Sequence, residues 1–192
     1  MDKSAQAEFV AGAARGALVT ALAGAGWLGW GLGVAQAYNA VVGSIFGAVA
    51  LFLWIWSVYT IRTGRALRRR FPAPSLSAFK FPTRPFTLVV LTEAFAILVV
   101  LLAAARVHRT DLAALGCALV IGAHYLPLAK IFHAPILAVL GVLITLWCVL
   151  SAALFRSSPL VVAVSIGTGI LLWAASIAIL LRARSIAHSL RS

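Results

Sequence analysis

Residues 16–61 read GALVTALAGAGWLGWGLGVAQAYNAVVGSIFGAVALFLWIWSVYTI, 46 residues without one charged side chain. A membrane-spanning helix needs about 20 mostly apolar residues, so this stretch is long enough for two. The break between them falls at Gln36, Tyr38 and Asn39, its only polar cluster. Four further runs, 86–105, 112–129, 131–155 and 157–181, each suit one span and together hold a single formal charge, Glu93. The reading is an all-α polytopic bundle of six transmembrane helices, at 16–34, 40–61, 86–105, 111–129, 135–155 and 159–181, forming one domain over residues 1–192.

Composition supports the class. Hydrophobic residues make up 63% of the 192 and charged residues 10%, with a mean hydropathy of +1.06. Soluble domains carry about 25% charged residues. Six helices of about 20 residues leave no room for a soluble domain. A net charge of +12 invites a nucleic-acid partner, but the charges sit at span ends rather than on one soluble face, which argues against it. Cys117 and Cys148 fall inside spans, and neither has a second cysteine at metal-ligand or redox spacing. They read as small buried apolar residues.

Ala35-Gln36-Ala37 has the form of a signal-peptide cleavage site. The region ahead of the apolar run, however, reaches Arg15 and carries Asp2 and Glu8, which is long and acidic for such a leader. The first span is therefore read as uncleaved.

Lysine and arginine set the orientation. With both termini cytoplasmic, 13 of the 16 fall inside, and only Arg106, Arg109 and Arg156 fall outside. Trp27, Trp30 and Tyr38 then mark the outer interface, and Trp54, Trp56 and Tyr59 the inner one. Asn39 is followed by Ala and Val, so it makes no glycosylation sequon, which fits a bacterial inner membrane. The pairs Gly12/Gly16, Gly29/Gly33 and Gly43/Gly47, with Gly167 and Gly169, permit close helix approach and are read as packing within the chain. A chain of 20.2 kDa could also assemble as a homo-oligomer.

The 62–85 segment is the one extended polar stretch. Arg62, Arg65 and Arg69 recur at helical spacing, so the second helix should continue past the membrane with a basic stripe. Pro72, Pro74, Pro82 and Pro85 then oppose further helix, and Phe71, Phe79 and Phe81 suit a segment in the headgroup layer. Arg62, Arg65, Arg68, Arg69, Arg70, Lys80 and Arg84 form a candidate anionic-lipid site, each worth about 1 kcal/mol near such a surface. The same residues also suffice as topology signals.

Glu93 needs an explanation. An ionised Glu facing lipid costs about 2.5–3.5 kcal/mol or more, so it should turn inward and find a partner. It lies about 10 Å below the start of its span at Phe86, and His124 lies about 9 Å from the same side on the next helix. The short 106–110 connection makes these helices antiparallel neighbours. An imidazole can donate to the carboxylate, and histidine titrates near neutral pH. Pro127 has no N–H and leaves the carbonyl of Ala123 without its helical donor, beside His124. Thr92 and Tyr125 could extend the network, depending on their faces. Such a pair serves either a proton-handling site or a plain interhelical bond, which averages about 0.6 kcal/mol.

Enzyme chemistry finds little footing. A haem would want paired axial histidines across helices, but His108, His133 and His188 fall at edges or in the tail. An intramembrane protease would need a serine–histidine pair or two aspartates, and Asp111 at an outer edge is the only aspartate near a span. No cofactor or metal site is expected.

The segment GAHYLPLAK at 122–130 resembles a signature of small uncharacterised bacterial membrane proteins, a domain-of-unknown-function family. The resemblance covers mainly this segment. It implies a multi-pass inner-membrane protein and carries no activity. The expected function is a small proton-coupled transporter or channel using Glu93 and His124. The alternative is a non-transporting membrane protein acting through lipid or protein association at 62–85.

Overall fold

Residues 3–72, 83–132 and 134–191 are described in a computed structural model. Among them are six helices and no strand: α1 Lys3–Val34, α2 Ala40–Arg70, α3 Thr83–Arg106, α4 Thr110–Ile131, α5 Pro135–Leu154 and α6 Ser157–Ser189. All six are long and apolar enough to cross a membrane. This is an integral, multi-pass membrane protein.

Helix lengths separate the six into two groups. At 1.5 Å per residue, α3, α4 and α5 span about 30–36 Å, close to the hydrocarbon thickness of about 30 Å. The 32, 31 and 33 residues of α1, α2 and α6 give about 46–50 Å. Helix α1 therefore begins 13 residues before the expected boundary at 16, and α6 ends 8 residues after 181. The continuation of α2 through its arginines follows the expected stripe. Pro85 does not oppose a helix. It sits in the first turn of α3, where a missing N–H has no intrahelical partner to lose.

The turns follow from local chemistry. Asn39 is extended (φ −130°, ψ 172°), and its side chain accepts the N–H of Val42 at 2.9 Å, capping α2. After α3, His108 adopts a left-handed conformation (φ 53°), and the Arg109 N–H reaches back to the Ala104 carbonyl at 3.0 Å. The Arg109 guanidinium then grips both oxygens of Asp111, at 2.9 and 2.7 Å. That pair charges the α3–α4 turn, and Asp111 opens α4 at the helix end that favours an acid. Pro135 begins α5 at a position that needs no N–H.

Two compact units divide the chain. The first takes Met1–Ala25, Asn39–Phe81 and Leu172–Ser192; the second takes Gly26–Tyr38 and Pro82–Leu171. In the first unit, α2 buries Leu53, Ser57, Thr60, Gly64 and Leu67, spaced 4, 3, 4 and 3 apart, the seam of a narrow coiled-coil contact. Gly64 allows that closeness, because a Cβ there would fall 2.7 Å from the Ala11 backbone. Ser176 donates to the Ala17 carbonyl at 2.8 Å and Trp173 to the Ala21 carbonyl at 3.0 Å, tying α6 to α1. Towards the ends of these helices, Ala7, Val10, Leu67, Ala183, Ala187 and Leu190 form a buried cluster, with Phe71 and Ile186 against it.

The second unit is built on α4. Helix α3 meets it along one antiparallel stripe. Phe86 packs on Phe132 with ring centroids 5.9 Å apart, Glu93 meets His124, and Val100 lies against Gly116. Successive contacts are seven residues apart on α3, two turns of helix. On its other side α4 crosses α5 at Gly122 and Gly141. The Trp147 indole donates to the Ala163 carbonyl at 2.9 Å and fills the space a side chain at Gly167 would occupy.

Two of the glycine pairs behave differently from expectation. A Cβ at Gly12, Gly16, Gly43 or Gly47 would meet nothing within 4 Å, and one at Gly33 only the Tyr38 ring at 3.8 Å. Among the described residues, Gly12/Gly16 and Gly43/Gly47 thus make no close contact across helices. Small-residue spacing permits close approach without supplying a neighbour.

Candidate intramembrane polar site

Glu93 lies on the stripe of α3 that faces α4, midway between the Phe86 and Val100 contacts. Its Oε2 is 2.5 Å from His124 Nδ1. The side chains retain 19% and 15% exposure, so both are mostly withdrawn into the helix contact. The approach is a close polar contact rather than a well-directed hydrogen bond. Nδ1 is buried, and no partner meets hydrogen-bond geometry with it, so the carboxylate lies off the N–H direction. The structure thus places side by side the two residues that the depth argument paired.

Tyr125 belongs to the same neighbourhood. It is 8% exposed, and its ring lies edge-on to the His124 imidazole with centroids 5.1 Å apart. Its Cβ side leans on the α4–α5 crossing, where a Cβ on Gly141 would fall 3.1 Å away. Pro127 is accommodated inside α4, which continues unbroken to Ile131. It is one turn beyond His124, on the same face. Thr92 is not part of the network. Its side chain is exposed, because one residue along a helix turns about 100° away from Glu93.

Sequence reasoning did not single out Gly122, Gly141 and Thr145, which set the floor under Tyr125. Thr145 donates to the Gly141 carbonyl at 2.9 Å, and Gly122 and Gly141 bring α4 and α5 nearly into backbone contact. Gly122 lies within the GAHYLPLAK segment, but its partner is 19 residues away, without a motif linking them.

The proposed basic site divides. Arg62, Arg65, Arg68, Arg69 and Arg70 are exposed along the end of α2, and Arg84 is exposed at the start of α3. Arg68 pairs with Glu8 at 3.5 Å. Lys80 lies outside the described residues, as do Pro74, Phe79, Phe81 and Pro82. Cys117 and Cys148 are buried free thiols. Among the described residues no group of three His, Cys, Asp or Glu side chains is placed to hold a metal ion.

Comparison with family models, with curated proteins and with solved structures finds no match to this chain.

Proposed function

We propose that this chain is a small transporter or channel-like protein of a bacterial inner membrane, coupled to protons through Glu93 and His124. The observation that carries the reading is the 2.5 Å approach of a carboxylate to an imidazole between two apolar helices. Ionisable groups at such depth are expensive and are retained where they handle protons or substrates.

The pair can exchange one proton internally. With the proton on Glu93 both groups are neutral; with it on the imidazole they form an ion pair. A second proton leaves a positive imidazole facing a neutral carboxyl, and the attraction holding α3 to α4 at this level is lost. Pro127 lacks the N–H that would otherwise bond the Ala123 carbonyl, one residue before His124. The Tyr125 ring supports the imidazole from the α5 side. The 13 to 3 division of basic residues supports termini on the cytoplasmic side.

The test is proton flux into liposomes holding the full-length protein and an internal pH dye, under an imposed pH gradient. Wild type should dissipate the gradient faster than protein-free liposomes, and Glu93→Gln and His124→Gln should each abolish the difference. Equal flux in wild type and Glu93→Gln would overturn the reading and leave the pair as a bond between helices.

A further inference from the structure

In the second unit, α5 and α6 do not close on each other along the half that ends at their connecting turn. A hollow of about 450 Å³ lies at the turn, between Val34, Phe155, Ser158 and Pro159. A second, of about 580 Å³, continues between the helices as far as Leu143 and Leu171. Val162 and Ala163 line both, so the two form one groove. Small residues on α6 open it. Gly167 has no side chain and Ala163 only a methyl group, and the Trp147 indole lies across them as the floor.

Length and chemistry both describe the occupant. The groove runs from Phe155 to Leu143 on α5 and from Ser158 to Leu171 on α6, 12 and 13 residues apart, or about 18–20 Å. One leaflet supplies about 15 Å of hydrocarbon, with the interfacial layer above it. The groove is therefore one leaflet deep, and its rims at Leu146, Leu150 and Ile170 are exposed. Below Ser158 its one polar side-chain group is the Trp147 N–H, which donates to the Ala163 carbonyl at 2.9 Å. A polar occupant would lose its hydrogen bonds there, whereas a hydrocarbon chain has none to lose.

Arg156 stands at the mouth. Its Nη1 donates to the carbonyls of Ala152 and Phe155, the latter at 3.0 Å, and Phe155 lines the groove. These bonds fix the guanidinium at the C-terminus of α5, where positive charge is favoured. Among the described residues no carboxylate pairs with Arg156, in contrast to Arg109, which holds Asp111. Nε and Nη2 remain as a planar pair of donors, the geometry that grips a phosphate with two parallel bonds. We infer that the α5–α6 groove binds one anionic phospholipid, with an acyl chain along Trp147 and the phosphate on Arg156. A zwitterionic headgroup also brings a phosphate, but its ammonium meets the same cation, so a net anionic headgroup is favoured. The site uses neither the Glu93–His124 pair nor the basic residues at 62–84.

The experiment reads Trp147 fluorescence as the difference between the full-length protein and its Trp147→Phe variant, both in phosphatidylcholine nanodiscs. Phosphatidylglycerol or phosphatidylcholine brominated at mid-chain is titrated in. Trp147 lies eight residues from Phe155, about 12 Å along α5, which matches the depth of the bromines. Phosphatidylglycerol should half-quench this component at a roughly tenfold lower mole fraction than phosphatidylcholine, the ratio expected for one charge-assisted hydrogen bond. Arg156→Gln, at an exposed position, should abolish the preference without changing the thermal midpoint, and Arg156→Lys should keep part of it. Ala163→Leu, which fills the groove and leaves Arg156 in place, should abolish it too. A preference that survives either Arg156→Gln or Ala163→Leu would overturn the site. Equal quenching by the two lipids would mean ordinary bilayer contact, and no quenching by either would mean a groove covered by a second copy of the chain; both results would overturn it as well.

Discussion

Gly122 and Gly141 meet across α4 and α5 so closely that a Cβ on Gly141 would lie 2.5 Å from the Gly122 carbonyl oxygen. That crossing also supports Tyr125, and through its ring His124. The polar pair and this near-backbone contact between α4 and α5 are therefore mechanically adjacent.

Gly141→Ala should force α5 away from α4 and cost about 1–3 kcal/mol, the usual cost of overpacking. Gly12→Ala adds the same methyl group where nothing lies within 4 Å, and should be neutral or gain up to about 1 kcal/mol from helix propensity. Thermal unfolding of both variants in one detergent checks the contrast.

Glu93→Gln should preserve the helix contact, because an amide can still meet the imidazole, with a stability change near the 0.6 kcal/mol or so of an average interhelical bond. Glu93→Leu should cost about 1–3 kcal/mol by leaving the buried Nδ1 without a polar partner. Denaturation midpoints separate the two, and a Leu variant as stable as the Gln variant would show that the contact contributes little to the fold.

Gln36, His108 and Ser157 have φ of 51°, 53° and 54°. The left-handed region costs an L-residue about 1–2 kcal/mol relative to glycine. His108→Gly should accordingly raise stability by up to about 1 kcal/mol, the remainder being lost to a freer unfolded chain. No change in midpoint would mean that the His108 side chain contributes contacts of equal value.

With Cys117 and Cys148 replaced by Ser, a cysteine at Asn39 should react with an impermeant thiol reagent added to intact cells. One at Ser189 should react only after permeabilisation. Reaction of Ser189→Cys in intact cells would reverse the proposed orientation.

The number of helices could be read from sequence because an uncharged run of 46 residues needs no knowledge of contacts. Glu93 and His124 could be matched because rise per residue converts position into depth, and a short connection makes neighbours. The same signal misjudged helix lengths. Hydrophobicity reports the solvent around a helix, so the reading stopped α6 at Leu181, whereas nothing in Arg182–Ser189 breaks a backbone helix and Ala183 and Ala187 continue its buried face. Thr92 failed on angle, since adjacent residues at one depth occupy different faces. Gly122 and Gly141 were invisible because an interhelical approach between residues 19 apart leaves no local pattern. The left-handed turns carry no glycine to announce them.

The narrow seam on α2 has a bearing on how this chain could change over time. Only Leu53, Ser57, Thr60, Gly64 and Leu67 are fully enclosed among its 31 residues. Exposed positions elsewhere on the helix, such as Ile45, Phe52 and Ile55, need only remain greasy, so many different side chains would serve. A saturation scan of α2 should therefore show intolerance recurring every three to four residues from Leu53 to Leu67, with permissive positions between. Relatives that keep this helix could drift far apart in sequence while preserving little more than one thin, mostly small-residue line along it.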